Sequence, residues 1–122
     1  MSGPRASEED TGPAAGDAIL LVLSNLPDEA SARRLADALL GQRAAACVNI
    51  LSTCTSVYRW QGQVETASEV PVLMKTTRAA YPRLEKIVRE LHPYELPEII
   101  AVPASAGLPG YLQWVVQETK GL

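Results

Sequence analysis

The sequence has few of the residues that build metal, redox and disulfide sites. Its 122 residues include no phenylalanine, one histidine (His92) and two cysteines (Cys47 and Cys54). A separation of seven residues places two side chains on opposite faces of an extended strand, so the cysteines are poorly placed to share a metal ion or a disulfide. We predict that both are small buried side chains in a reducing compartment.

The charge balance and the absence of long apolar runs exclude two classes of partner. There are 14 acidic residues against 11 basic ones, and the net charge of −3 has the wrong sign for binding the phosphate backbone of a nucleic acid. No apolar run approaches the roughly 20 residues of a membrane span, and the first residues do not have the basic start and apolar stretch of a secretion signal. We therefore expect a cytoplasmic protein that contacts neither nucleic acid nor membrane.

Residues 1–17 differ in composition from the rest of the chain. They hold four acidic side chains against Arg5 and are rich in glycine and proline, so they have too little apolar surface to offset the entropy lost on ordering. We predict a disordered acidic tail over 1–17 and one domain over 18–122, because a chain of this length that is 47% hydrophobic supports a single core.

Hydrophobic patterning over 18–122 predicts the element order β-α-β-β-α-β followed by a short helix. The first predicted elements are a strand over 18–23 and a helix that is capped near Asp28 and ended by Gly41. A hairpin follows, with strands 46–60 and 64–76 around Gln61-Gly62-Gln63. The remaining elements are a helix opened by residues 76–82 and closed before Pro93, a strand over 98–103, and a last helix after Gly110. This is the order of a ferredoxin-like α+β sandwich, the split βαβ arrangement.

The predicted hairpin is too long for the domain. The 14 residues of the run 47–60 would reach about 46 Å as a strand, whereas a domain of this size is roughly 33 Å wide. We expect the hairpin to bend or to overhang the domain. Pro71 cannot donate to a strand ladder, so its position should be a bulge or should face away from its neighbour.

One face of the predicted sheet has too little cover. Right-handed crossovers place both long helices on the same face, yet the strands at 18–23 and 99–102 are apolar on both faces. A short last helix shields only part of the second face. We expect copies of the chain to bury the rest in an obligate, closed homo-oligomer.

The densest polar cluster joins the second helix to the last strand. Residues 92–98 carry the single histidine, the Tyr94 phenol and the carboxylates of Glu95 and Glu98 between two prolines. With its other motifs, the sequence resembles the CutA divalent-cation tolerance family. The matching stretches are 43–50, 56–62, Glu69 with Lys75-Thr76, 92–95 with 97–98, and 111–114.

The resemblance implies a ferredoxin-like subunit in a tight homotrimer, related in architecture to the PII signalling proteins, with a role in tolerance of copper and other divalent metals. The copper position proposed in an enterobacterial relative uses a cysteine and two adjacent histidines, and those positions are Ser24, Leu91 and His92 here. The resemblance therefore implies weak binding of Cu²⁺ or another divalent cation by His92, with Glu95 or Glu98 as oxygen ligands.

Each candidate residue also has a structural alternative. His92 at a helix end can instead bond backbone carbonyls, and Glu95 and Glu98 can form ion pairs with Arg59 or Lys75. The side chains predicted at an interface or pocket between subunits are Tyr58, Trp60, Lys75 and Tyr94. Because Glu69 and Lys75 lie an even number of residues apart on one strand face, we expect them in an intersubunit pair rather than in catalysis.

Three functions are compatible with the sequence. The first is a CutA-like trimer that responds to divalent metal without catalysis and without an organic cofactor. The second is a PII-like sensor of an anion or metabolite at the subunit interface, bound through Arg59, Lys75 or Arg78, although no phosphate-binding glycine loop supports it. The third is an enzyme that uses His92 with a nearby glutamate as an acid–base pair. We expect no enzyme, because a nucleophile signature and a second histidine are both absent.

Overall fold

The computed structural model describes residues 14–121. Within this range there are five strands, three α-helices and a 3-10 turn at Ala15–Asp17. The strands are β1 (Ile19–Leu26), β2 (Cys47–Ile50), β3 (Cys54–Trp60), β4 (Gln63–Thr77) and β5 (Ile100–Pro103), and the helices are α1 (Glu29–Gly41), α2 (Tyr81–Leu91) and α3 (Pro109–Glu118). Of the predicted tail over 1–17, residues 1–13 lie outside the described residues.

The strands form one antiparallel sheet in the order β2-β4-β1-β5, and β3 pairs with the outer part of β4. The helices α1 and α2 connect strands that are not neighbours in this order. The predicted α+β ferredoxin-like fold with a short last helix is therefore confirmed. No helix in the described range has the length and apolar character needed to cross a bilayer.

The core lies between the sheet and the helices α1 and α2. Alternate residues of the central strands point toward the helices, as the two-residue period of a strand requires. The largest buried side chains of this layer are Val22 and Leu26 of β1, Leu35 and Leu39 of α1, Val72 and Met74 of β4, and Leu84 and Val88 of α2. Each contributes about 1.5–3 kcal/mol by leaving water, so the sheet is fixed firmly on this side.

The predicted strand over 46–60 is not continuous, which corrects the sequence-based boundary. Ile50 lies opposite Val72 and Cys54 lies opposite Glu69, so residues 51–53 face the shorter stretch 70–71. The Leu51 N–H donates to the carbonyl of Pro71 at 2.9 Å, and the proline has no N–H to return a second bond. The predicted bulge at Pro71 is confirmed, and it divides the strand into β2 and β3.

Beyond the bulge, β3 and the outer half of β4 form a two-stranded ribbon. Its two-residue turn has positive φ at both Gln61 (51°) and Gly62 (81°), the geometry of a type I′ hairpin. Val57 and Val64 on the ribbon are about two-thirds exposed. The predicted overhang is therefore confirmed.

Besides the break at 51–53, two strand boundaries differ from the sequence prediction by two residues or more. The first strand extends to Leu26 because residues 24–26 pair with residues 70–72 of β4. The last strand begins at Ile100, because the pairing of β5 with β1 begins there, opposite Leu23.

The second helix ends at Leu91, and His92 is extended at ψ 132° before Pro93, as expected for a residue that precedes proline.

The face of the sheet opposite α1 and α2 is only partly covered. The helix α3 packs on one end of this face, where Val115 and Val116 contact Ile19. Further along the same face Leu23 is 40%, Ile100 52% and Val102 40% exposed. The predicted uncovered apolar face is confirmed, and we call it the open face.

Candidate functional site

The 92–98 loop is tied to the end of β1 by the ring of His92. The histidine is buried, and its Nε2 lies 2.6 Å from the carbonyl oxygen of Asn25. The backbone N–H of Tyr94 donates to its Nδ1 at 3.1 Å. Because a carbonyl can only accept and an amide N–H can only donate, the ring is the neutral tautomer with its proton on Nε2. Both ring nitrogens are therefore occupied by protein groups.

Tyr94 connects this loop to the outer part of β4. Its hydroxyl donates to Oε2 of Glu69 at 3.0 Å, and its ring lies 4.7 Å from the imidazole of His92, centroid to centroid. Partial burial and then the bond to Glu69 raise the pKa of Tyr94 to about 12, with smaller contributions from Tyr58 and Asp28. The phenol is therefore a hydrogen-bond donor at neutral pH.

The two glutamates of the loop have different environments. Oε1 of Glu98 accepts a hydrogen bond of 2.9 Å from the side-chain amide of Asn25. Glu95 is exposed. Asn25 thus holds the loop at two points, through its backbone carbonyl and through its side chain. No local pattern in the sequence indicates these contacts of Asn25, which span 67 and 73 residues.

The residues of one described chain do not fit a closed metal site. Between residues 14 and 121 no group of three or more His, Cys, Asp or Glu side chains is placed to hold one ion. Ser24 is 2% exposed, and its hydroxyl has no hydrogen-bond partner among the described residues. Leu91 is 51% exposed, whereas the adjacent His92 is buried. Of the three positions compared with copper ligands, Ser24 and His92 are therefore buried, whereas the side chain at position 91 is exposed to solvent.

The predicted interface residues lie in three places. Tyr58 and Trp60 are partly exposed on the ribbon, and Tyr94 lies in the loop beside Glu69. Lys75 lies on the open face with its Nζ 5.6 Å from the ring centroid of Tyr111. The structure thus brings Tyr94 to Glu69, whereas Lys75 and Trp60 lie apart from them within one chain.

Comparisons with known proteins agree with this fold. The family model described as CutA1 divalent ion tolerance protein matches residues 20–118. A Thermus thermophilus protein named Divalent-cation tolerance protein CutA is 48% identical over 99 residues, which are 81% of this chain and 96% of the relative. Protein CutA of Mus musculus is 44% identical over 96 residues, which are 79% of this chain and 54% of the relative. The chain thus spans about half the length of that mouse protein.

Solved structures of CutA proteins have the same fold as this chain. CutA from Xylella fastidiosa has a TM-score of 0.82 and 42% identity, with 84% of this chain and 99% of that chain covered. CutA1 from Oryza sativa has a TM-score of 0.83 and 33% identity, with 88% and 98% covered. The family match over most of the described residues, the identity of the relatives and the shared fold lead to one conclusion: this chain belongs to the CutA1 divalent ion tolerance family.

Proposed function

We propose that this chain acts in divalent-cation tolerance as a homotrimer that binds divalent cations weakly, with copper as the first candidate, and without catalysis. The observation that carries the proposal is the 92–98 loop, in which Glu95 is exposed and Glu98 accepts a hydrogen bond from Asn25, which shares a strand face with Leu23 of the open face. The family's role in tolerance of divalent ions supports the cation as ligand.

The open face supports the assembly. Its exposed apolar residues, together with Tyr111 and Trp114 of α3, form a surface of the kind that protein interfaces bury. A specific interface covers about 800 Å² on each partner. A closed ring of three copies, as the family resemblance implies, gives every copy the same cover.

The chemistry of the loop supports weak binding. Carboxylate oxygens bind divalent cations, but high affinity for copper depends on the soft or imidazole ligands that are replaced by Ser24 and Leu91. His92 becomes available to a metal only when one of its two hydrogen bonds breaks. We therefore assign the first contacts with the cation to Glu95 and Glu98, with His92 as the further ligand predicted from the sequence.

The same geometry supports a role without catalysis. His92 is held by a carbonyl and an amide, and Tyr94, whose pKa is raised to about 12, is not an acid or base near pH 7. The comparisons lend no support to the alternative, a PII-like sensor of an anion or metabolite. We therefore keep that alternative only as an outcome of the titration below.

The test is a calorimetric titration of the purified chain with Cu²⁺, with Zn²⁺ and, in separate runs, with a nucleotide and an organic acid. We expect weak binding that falls at least about fivefold in the double variant Glu95→Gln/Glu98→Gln. Glu65→Gln, an exposed ribbon glutamate, is the matched control. His92→Ala tests whether the imidazole joins the ligands, because a ligand role predicts a further loss of affinity. Absence of cation binding, or binding unchanged in the double variant, would contradict the proposal, and heat from a nucleotide or organic acid would favour the sensor.

A further inference from the structure

Glu69 is a buried carboxylate without a cation in its own described chain. It is 8% exposed at the outer end of the open face, and the phenol of Tyr94 donates to it. The ion pairs found among residues 14–121 join Arg33 to Asp37 and Lys86 to Glu90, so neither involves Glu69. Buried carboxylates are normally paired with a positive group. This site is therefore incomplete in one subunit.

Lys75 is a cation without a carboxylate partner in its own described chain. It is partly buried on the open face, and its ammonium group lies over the ring of Tyr111 without forming an ion pair among the described residues. It lies six residues after Glu69 on the unbroken strand β4, so both side chains share one face of the sheet. Six residues span about 20 Å, which rules out direct contact between the two within one chain.

No other cation of the described chain shares this face. Lys75 is the one lysine or arginine on the open face of the described sheet, where its strand neighbours are Leu21 of β1 and Cys47 of β2. Arg59 on the ribbon lies opposite Val64, on the ribbon face opposite to that of Glu69 and Tyr58. The charge pattern of the face is therefore one buried acid at one end and one cation about 20 Å away.

We propose that Lys75 of one copy binds the carboxylate of Glu69 in the next copy, where the Tyr94 hydroxyl completes the set of hydrogen bonds. The proposal rests on the homo-oligomer proposed above and names the charged contact that holds it. In a closed ring of three copies, each interface joins two different patches of the same chain. A negative patch and a positive patch at opposite ends of one face satisfy this requirement, and each interface then gains one such pair.

Charge reversal tests the pair. Wild type, Glu69→Lys, Lys75→Glu and the double variant are compared by light scattering and sedimentation over a dilution series. We expect each single reversal to raise the concentration of half-dissociation at least about tenfold, because a buried charge then meets a like charge. The double reversal restores assembly to within about threefold of wild type. Lys86→Glu, on the exposed surface of α2, is the control and leaves assembly unchanged.

A second measurement covers the case in which a reversed variant does not fold. Glu69→Gln and Lys75→Met remove charge without reversing it, and their effects on assembly should be non-additive when combined. Zero-length carbodiimide coupling of wild type should join a Glu69 peptide to a Lys75 peptide from a second chain. A wild-type monomer would overturn the proposed assembly itself. An assembled wild type with additive neutral variants and no such cross-link would overturn the pair alone.

Discussion

The imidazole of His92 holds two distant segments of the chain together. It donates to Asn25 at the end of β1 and accepts from the backbone of its own loop at Tyr94. A histidine with one donor and one acceptor bond to backbone groups has a fixed tautomer and a fixed ring plane. At the scale of single residues, this pair of bonds positions Tyr94, whose ring lies 4.7 Å from the imidazole.

Ser24 and Thr76 both carry a buried hydroxyl group, but their hydrogen bonding differs. The Thr76 hydroxyl donates to the carbonyl of Ala44 at 2.7 Å, whereas the Ser24 hydroxyl has no partner among the described residues. We expect Ser24→Ala to raise the free energy of unfolding by about 1 kcal/mol and Thr76→Val to lower it by a similar amount, about 1 kcal/mol. Urea unfolding at one fixed chain concentration measures both. A loss of stability in Ser24→Ala would contradict the assignment.

The phenol of Tyr94 provides a pH prediction. Its pKa is about 12 in the folded chain against 10.0 ordinarily, so folding favours the protonated form. The stabilisation is complete below pH 10 and is lost as the pH rises toward 12. Absorbance titration near 295 nm should show a late phenol that is absent in Tyr94→Phe and shifted to lower pH in Glu69→Gln. A Tyr94 that ionises at its ordinary pKa would count against the bond to Glu69.

At the scale of elements, periodicity and turn chemistry predicted most of the fold. Runs that are apolar on both faces located the central strands. Asp28 was predicted to cap α1, and its Oδ1 accepts a 2.7 Å bond from the Ser31 N–H. This bond is the main reason that the pKa of Asp28 is lowered. The break at residues 51–53 was not predicted as a boundary, because it depends on how that strand pairs with Pro71 rather than on the residues themselves.

The ribbon turn provides a prediction about backbone conformation. Both turn residues have positive φ, yet the first is glutamine, which has a side chain unfavourable in that region. We expect Gln61→Asn to raise the free energy of unfolding by about 0.5 kcal/mol. Gly62→Ala should lower it by about 1 kcal/mol, although open space surrounds the position. Thermal unfolding of the two variants checks the opposite signs, and a stabilising Gly62→Ala would contradict the turn geometry.

Arg83 of α2 connects the ends of the other two helices. Its guanidinium donates to the carbonyls of Gln42 and Arg43 after α1 and of Thr119 after α3, at 2.9–3.2 Å. We expect Arg83→Leu to lower the free energy of unfolding by about 2 kcal/mol. It should also speed hydrogen exchange in α3. Arg83→Lys keeps the charge but not the planar donor geometry, so it should recover less than half of the loss. Unchanged exchange in α3 would contradict this role.

At the scale of the whole molecule, the candidate site was predictable as a sequence segment but not as a geometry. The motif at 92–98 marked the loop in which the ring of His92 contacts Asn25. The engagement of His92 with Asn25 depends on a contact across 67 residues. The burial of Glu69 under Tyr94 depends on one across 25 residues. Contacts of this kind arise from the fold, and no local pattern encodes them. The open face, in contrast, followed from the strand pattern and the rule of right-handed crossovers.

In the proposed assembly, copies of the chain cover the open face. Its most direct test is the native mass of the purified chain, measured by light scattering at low micromolar concentration. We expect a mass of about three times the 13.1 kDa chain. We further expect Leu23→Glu with Ile100→Lys, both on the open face, to reduce that mass. A stable, fully folded 13.1 kDa monomer of the wild type would contradict it.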